Sequence, residues 1–120
     1  MPQEIYLRKF GSLVYDAFDA MPYHVGSSLR NKDGWRDVDV RVLLDDDEYE
    51  RLGFGDPDRP QHYKKWVATT LAWSAFGVRL TGLPIDFQIQ QRSYANAKFK
   101  GEPRSALFEL THIGDRQAND

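Results

Sequence analysis

Residues 37–44 read Asp37-Val38-Asp39-Val40-Arg41-Val42-Leu43-Leu44, and this stretch decides the fold. Val38, Val40 and Val42 alternate with Asp37, Asp39 and Arg41. A period of two sends the valines to one side of a strand and the charged residues to the other. The strand therefore has one buried and one polar face. A second run of this kind follows Pro84, where Ile85, Phe87 and Ile89 alternate with Asp86, Gln88 and Gln90. Tyr23-His24-Val25 is a shorter strand candidate, stopped by Gly26-Ser27-Ser28.

Helical spacing fills the intervals. Phe10, Leu13, Val14, Ala17, Phe18 and Met21 form one apolar stripe, which predicts a helix over about residues 3–20 ended by Pro22. Asp45-Asp46-Asp47-Glu48 reads as an N-cap and acidic first turn for a short helix to about Leu52; a metal-binding cluster is the other reading. Residues 53–60 are a Gly-, Pro- and Asp-rich loop. The longest helix is expected over about residues 61–76, with Gly77 or Gly82 at its end and Trp66, Trp73 and Phe76 in the core. A short helix over 93–100 and an irregular tail from about residue 101, with a late strand at 106–110, complete the chain. The order α-β-β-α-β predicts an α+β domain: a small mixed β-sheet, helices on one face, and a polar face left open.

Composition narrows the function. A chain of 120 residues, 41% hydrophobic and 28% charged, is one ordinary globular domain. Sixteen Lys and Arg against eighteen Asp and Glu leave a formal charge of −2, without the basic field that an extended nucleic acid needs. The absence of cysteine removes disulfides, thiolate nucleophiles and zinc–thiolate sites, and is compatible with a reducing cytoplasm. No apolar run approaches the ~20 residues of a membrane span, and the polar N-terminus lacks a signal-peptide core. A cytoplasmic protein without a membrane partner is expected.

The polar strand faces carry the chemistry. Asp37 and Asp39 leave the same face of one strand, and Asp86 leaves the polar face of another. At about 5 Å and an effective dielectric near 20, each like-charged pair costs roughly 3 kcal/mol. A divalent cation would offset that cost, and magnesium takes oxygen ligands and pairs carboxylates with substrate phosphates. Solvated surface acids are the plainer reading of the Asp-x-Asp pair alone.

The residues upstream add to the pair. Val25-Gly26-Ser27 ends a strand, nine residues intervene, and Asp37-Val38-Asp39-Val40 follows, with Asp86 on a later strand after a helix. In this order the chain resembles the nucleotidyltransferase superfamily, that of the DNA polymerase beta-like enzymes, over about residues 23–90. The resemblance implies a transferase that moves a nucleoside monophosphate from an NTP to a hydroxyl acceptor. Gly26 would admit the triphosphate, and Ser27 and Ser28 would bond its oxygens. Asp37 and Asp39 would hold Mg2+ (or Mn2+), and Asp86 would activate the hydroxyl or complete a second metal site. Arg30 could reach phosphate from the following loop, and Arg41 either pairs with the acids or contacts phosphate.

The charge balance favours a protein or small-molecule acceptor over a long nucleic acid. The chain lacks the helical second domain of larger family members, so a homo-oligomer or a partner protein would complete the cleft. Two other readings stand beside this one. The same fold could serve as a catalytically silent nucleotide-binding or protein-interaction module, of phage or mobile-element origin. A metal-dependent nuclease is the weaker alternative, because Arg41 stands where a proton-transferring Lys would be needed.

Overall fold

The computed structural model describes residues 2–26 and 37–108. The elements run α1 (Pro2–Phe18), β1 (Pro22–Val25), β2 (Val38–Leu44), α2 (Asp46–Arg51), a 3-10 turn (Pro60–His62), α3 (Lys64–Thr81), β3 (Ile85–Gln91), α4 (Arg92–Lys98) and β4 (Ser105–Ala106). Among the described residues the strands form one mixed sheet in the order β3-β2-β1-β4. β1 is antiparallel to both neighbours, and β2 and β3 are parallel. A parallel pair requires a long crossover, and α2 and α3 supply it. The molecule is thus a small α+β fold, as the alternating runs predict.

The apolar face of the sheet is the core. Val38, Val40, Val42, Phe87 and Ile89 are buried under Phe10 and Val14 of α1 and Trp66 of α3. Phe10 meets Phe87 edge-on, with centroids 6.0 Å apart. Polar side chains fix α3 to β3: Trp66 Nε1–H donates to the Ile89 carbonyl at 2.8 Å, and Ser74 Oγ accepts the Phe87 N–H at 3.0 Å. Trp66 is a core residue as expected. Trp73 is only half-buried, and Phe76 is 42% exposed although its ring still touches Phe10 and Trp73.

Several boundaries differ from the sequence expectation, each for a local reason. α1 stops at Phe18, before Pro22, because Asp19 turns left-handed at φ 53°. Its buried stripe includes Leu7, while Ala17 faces out. α3 begins at Lys64 and runs past Gly77 to Thr81, so of the two expected stops Gly82 is the one used. Gly82 (φ 73°) closes it, its N–H donating to the Val78 carbonyl at 2.8 Å. Gly77 lies inside the helix, where its missing side chain admits Phe10 and Ile85. Asp45 makes no side-chain cap on α2. It pairs instead with Arg92 Nε at 3.0 Å, and Asp46 accepts the Ser93 N–H at 3.1 Å, so the acidic run fastens the start of α4. The late strand spans only Ser105–Ala106, and residues 109–120 lie outside the described residues.

α1 approaches the tail closely at Gly11. A Cβ there would overlap the backbone oxygen of Leu107. Gly11→Ala is therefore expected to destabilise the fold by about 1–3 kcal/mol despite its better helix propensity. Thermal denaturation would read this as a melting temperature several degrees lower. An unchanged or higher melting temperature would contradict the tight seat of residue 107 on α1.

Candidate active site

Strand register brings the candidate residues together. Asp39 lies opposite Val25 on β1 and opposite Asp86 on β3. One step along the polar face, Arg41 lies opposite Tyr23 and Gln88. Alternation keeps all of these off the core face, whereas His24 points into the core beside Val40 and is buried. Asp39 and Asp86, 47 residues and one helical crossover apart, thus sit side by side at the same level of the sheet.

Gly26 follows β1 at that level with φ 82°. A Cβ on Gly26 would overlap the Asp39 carboxylate. Glycine is required twice here, once for the left-handed backbone and once for the close approach of the carboxylate. Ser27, Ser28 and Arg30 lie outside the described residues.

Arg41 is the counter-ion of the pair. Its Nη1 donates to the backbone carbonyl of Asp86 at 2.6 Å and to that of Val40 at 3.0 Å. Its Nη2 stands 3.5 Å from Asp39 Oδ1 and 3.5 Å from Asp86 Oδ2. Of the two readings for Arg41, the structure displays the pairing with acids. Its side chain is only 14% exposed, against 26% for Asp39 and 46% for Asp86.

Burial pushes the Asp39 carboxyl above the ordinary carboxylate range; Arg41 opposes this, and Asp86 and Asp37 add to it. A group whose folded-state pKa is raised contributes stability below its unfolded pKa and loses that contribution as pH rises through the folded value. Asp39 therefore penalises the fold at neutral pH. Asp39→Asn is expected to raise the melting temperature at pH 7. The gap between variant and wild type should close as pH falls below the ordinary carboxylate range. Melting curves across pH check this, and a lower melting temperature for the variant at pH 7 would contradict it.

Asp37 precedes β2, is exposed, and is near enough to act on Asp39 through space. Among the described residues no three His, Asp or Glu side chains gather in metal-ligand geometry. Two of the three expected acids are thus brought together, with Asp37 in electrostatic reach. The Asp39 and Asp86 carboxylates are an all-oxygen donor pair, which fits a hard divalent cation.

Sequence reasoning left out one feature. A cleft of about 200 Å³ runs from Gly26 and Asp39 past Arg41, Tyr23, Gln88 and Gln90. Ala95 of α4 and residues 99 and 102–104 form its other wall, so the polar face is partly covered. The signal for Tyr23, Gln88 and Gln90 was present in the alternation, because all three share the polar face with Asp39. Nothing local announces the wall made by residues 99–104.

No known protein family, curated protein or solved structure matches this chain. No helix among the described residues is long and apolar enough to cross a membrane.

Proposed function

We propose that this chain is a metal-dependent nucleotidyltransferase, moving a nucleoside monophosphate from an NTP to a hydroxyl acceptor. The observation that carries the proposal is the row Val25–Asp39–Asp86, with the left-handed Gly26 against the Asp39 carboxylate. Asp39 and Asp86 would hold Mg2+, with Mn2+ as a substitute and Asp37 as a further ligand. When bound, the cation supplies charge neutralisation at the phosphates.

The chain's own groups do the rest. Gly26 lets the Asp39 carboxylate lie against the end of β1 and so keeps it beside Asp86. Asp86, the more exposed of the pair, takes the proton of the acceptor hydroxyl. The acceptor oxygen forms a bond to the α-phosphorus while the bond from α-phosphorus to its bridging oxygen breaks. Pyrophosphate leaves with that electron pair. Arg41 holds Asp86 by its backbone and side chain, which keeps the acid in place.

Incubation with each α-labelled NTP, Mg2+ and a cell extract tests the proposal. Label transfer with pyrophosphate release, both lost on chelation, is the expected result. Absence of transfer with all four nucleotides and either metal would overturn it.

One observation favours a second reading. Arg41 pairs with both carboxylates from within, as a silent nucleotide-binding or protein-interaction module would allow. Binding of Mg·ATP without pyrophosphate release over hours would select that module over the transferase.

A further inference from the structure

We infer that Arg41 is a built-in counter-ion that makes tight cation binding conditional on the nucleotide: it balances Asp39 and Asp86 until a phosphate arrives, and then bonds that phosphate. The inference rests on the transferase reading and adds to it how the same site is regulated.

The guanidinium is fixed at one end and loose at the other. Its Nη1 donates to the Asp86 carbonyl at 2.6 Å and to the Val40 carbonyl at 3.0 Å. Its Nη2 stands 3.5 Å from Asp39 Oδ1 and 3.5 Å from Asp86 Oδ2. A well-formed bond from a charged N–H to a carboxylate measures about 2.7–2.9 Å. Backbone carbonyls therefore hold the group in place, while charge more than geometry holds Nη2 between the two acids.

Charge gives the consequence. Arg41 balances one of the two negative charges of the pair. A divalent cation shared by Asp39 and Asp86 would meet a half-neutralised site with a fixed positive group beside it, and like charges at such short range repel. A nucleotide removes this conflict. Its phosphates bring negative charge and the further oxygen ligands that magnesium takes beside one or two carboxylates.

The freed end of Arg41 completes the exchange. Carboxylate oxygens drawn to a cation let go of Nη2, and both of its hydrogens become available. Arg41 lines the cleft with Asp39, so a phosphate beside the cation lies on its open side. The two sequence readings of Arg41, pairing with acids and contact with phosphate, become successive states of one residue. Cation and nucleotide then strengthen each other's binding, and by linkage each does so to the same extent.

Manganese titration of the 15N-labelled wild-type chain, followed by backbone NMR, tests the coupling. Matched free Mn2+ allows for chelation by the nucleotide. Broadening at residues 39 and 86 should need about tenfold less free Mn2+ with α,β-methylene-ATP than without it. Equal affinity in the two conditions would overturn the inference.

Arg41→Gln separates a counter-ion from a prop, because the neutral amide removes the competing charge. Calorimetry should show this variant binding Mn2+ alone about fivefold more tightly than wild type, and α,β-methylene-ATP at saturating Mn2+ about fivefold more weakly. A folded variant weaker in both, or changed in neither, would overturn the inference and leave Arg41 as a support for the acids. Should the variant fail to fold, the wild-type comparison decides alone.

Failure of the transferase reading looks different. Both affinity effects without label transfer from any NTP would uphold the counter-ion and remove the chemistry. Broadening at neither acid in either condition would remove the cation site, and the inference with it.

Discussion

Gly26→Val is expected to abolish binding of metal and nucleotide while leaving the chain folded. Two costs fall on the same atom. The backbone at φ 82° is unfavourable for any side chain and worst for a β-branched one, at about 1–2 kcal/mol. The added carbon atoms would also occupy the place of the Asp39 carboxylate, which must turn away. The carboxylate pair then loses its alignment, and the cation that would carry the phosphates loses its ligands. Affinity for Mg·ATP should fall at least a hundredfold, about 2.7 kcal/mol by the usual conversion. Melting temperature should fall by several degrees, since the strain is local. Calorimetry with Mg2+ and α,β-methylene-ATP, beside a thermal melt, reads both. Wild-type affinity in this variant would remove Gly26 from the site.

Asp39→Asn should act in the opposite sense on stability and in the same sense on activity. The neutral amide keeps the shape but removes the buried charge that burial and Asp86 disfavour. Metal-dependent transfer should drop by roughly a hundredfold or more, since one of two converging anionic oxygen ligands is gone. Arg41 keeps its bonds to the Val40 and Asp86 carbonyls, so the strand pairing survives. A variant that is both more stable and inactive marks a residue retained for function at a cost to the fold. A variant with full transfer activity would show that Asp39 serves only as the partner of Arg41.

The two alternating runs made the sheet readable, because period two at Val38–Leu44 and Ile85–Gln91 leaves one face to the core regardless of what packs on it. They also placed Asp39 and Asp86 on the polar face. That the acids serve one site was implied by the family resemblance, and the register adds that Asp39 and Asp86 stand directly opposite. The register that produces it depends on the length of α3 and its packing on β3 through Trp66 and Ser74, which no local pattern reveals. Asp45 illustrates the reverse case. Its position predicts an N-cap, but a tertiary partner, Arg92, outcompetes the backbone N–H groups of α2.

Glycine was ambiguous for a similar reason. Gly77 and Gly82 both fit the end of a helix, and only packing separates them: one makes room for Phe10 and Ile85, the other turns left-handed. The cleft was the least legible feature. One wall follows from alternation, but the other comes from residues 95–104, folded back over the sheet and joined to it where β4 pairs with β1.

The central claim is that Asp39, Asp86 and Gly26 form one binding site for a cation and a nucleotide. Backbone NMR of the 15N-labelled chain, titrated with Mn2+ in the presence of α,β-methylene-ATP, tests it most directly. Paramagnetic broadening centred on residues 25–26, 39–41 and 86–88, and absent in Asp39→Asn, is the predicted result. Broadening confined to the acidic run at residues 45–48, or spread evenly over the surface, would contradict it.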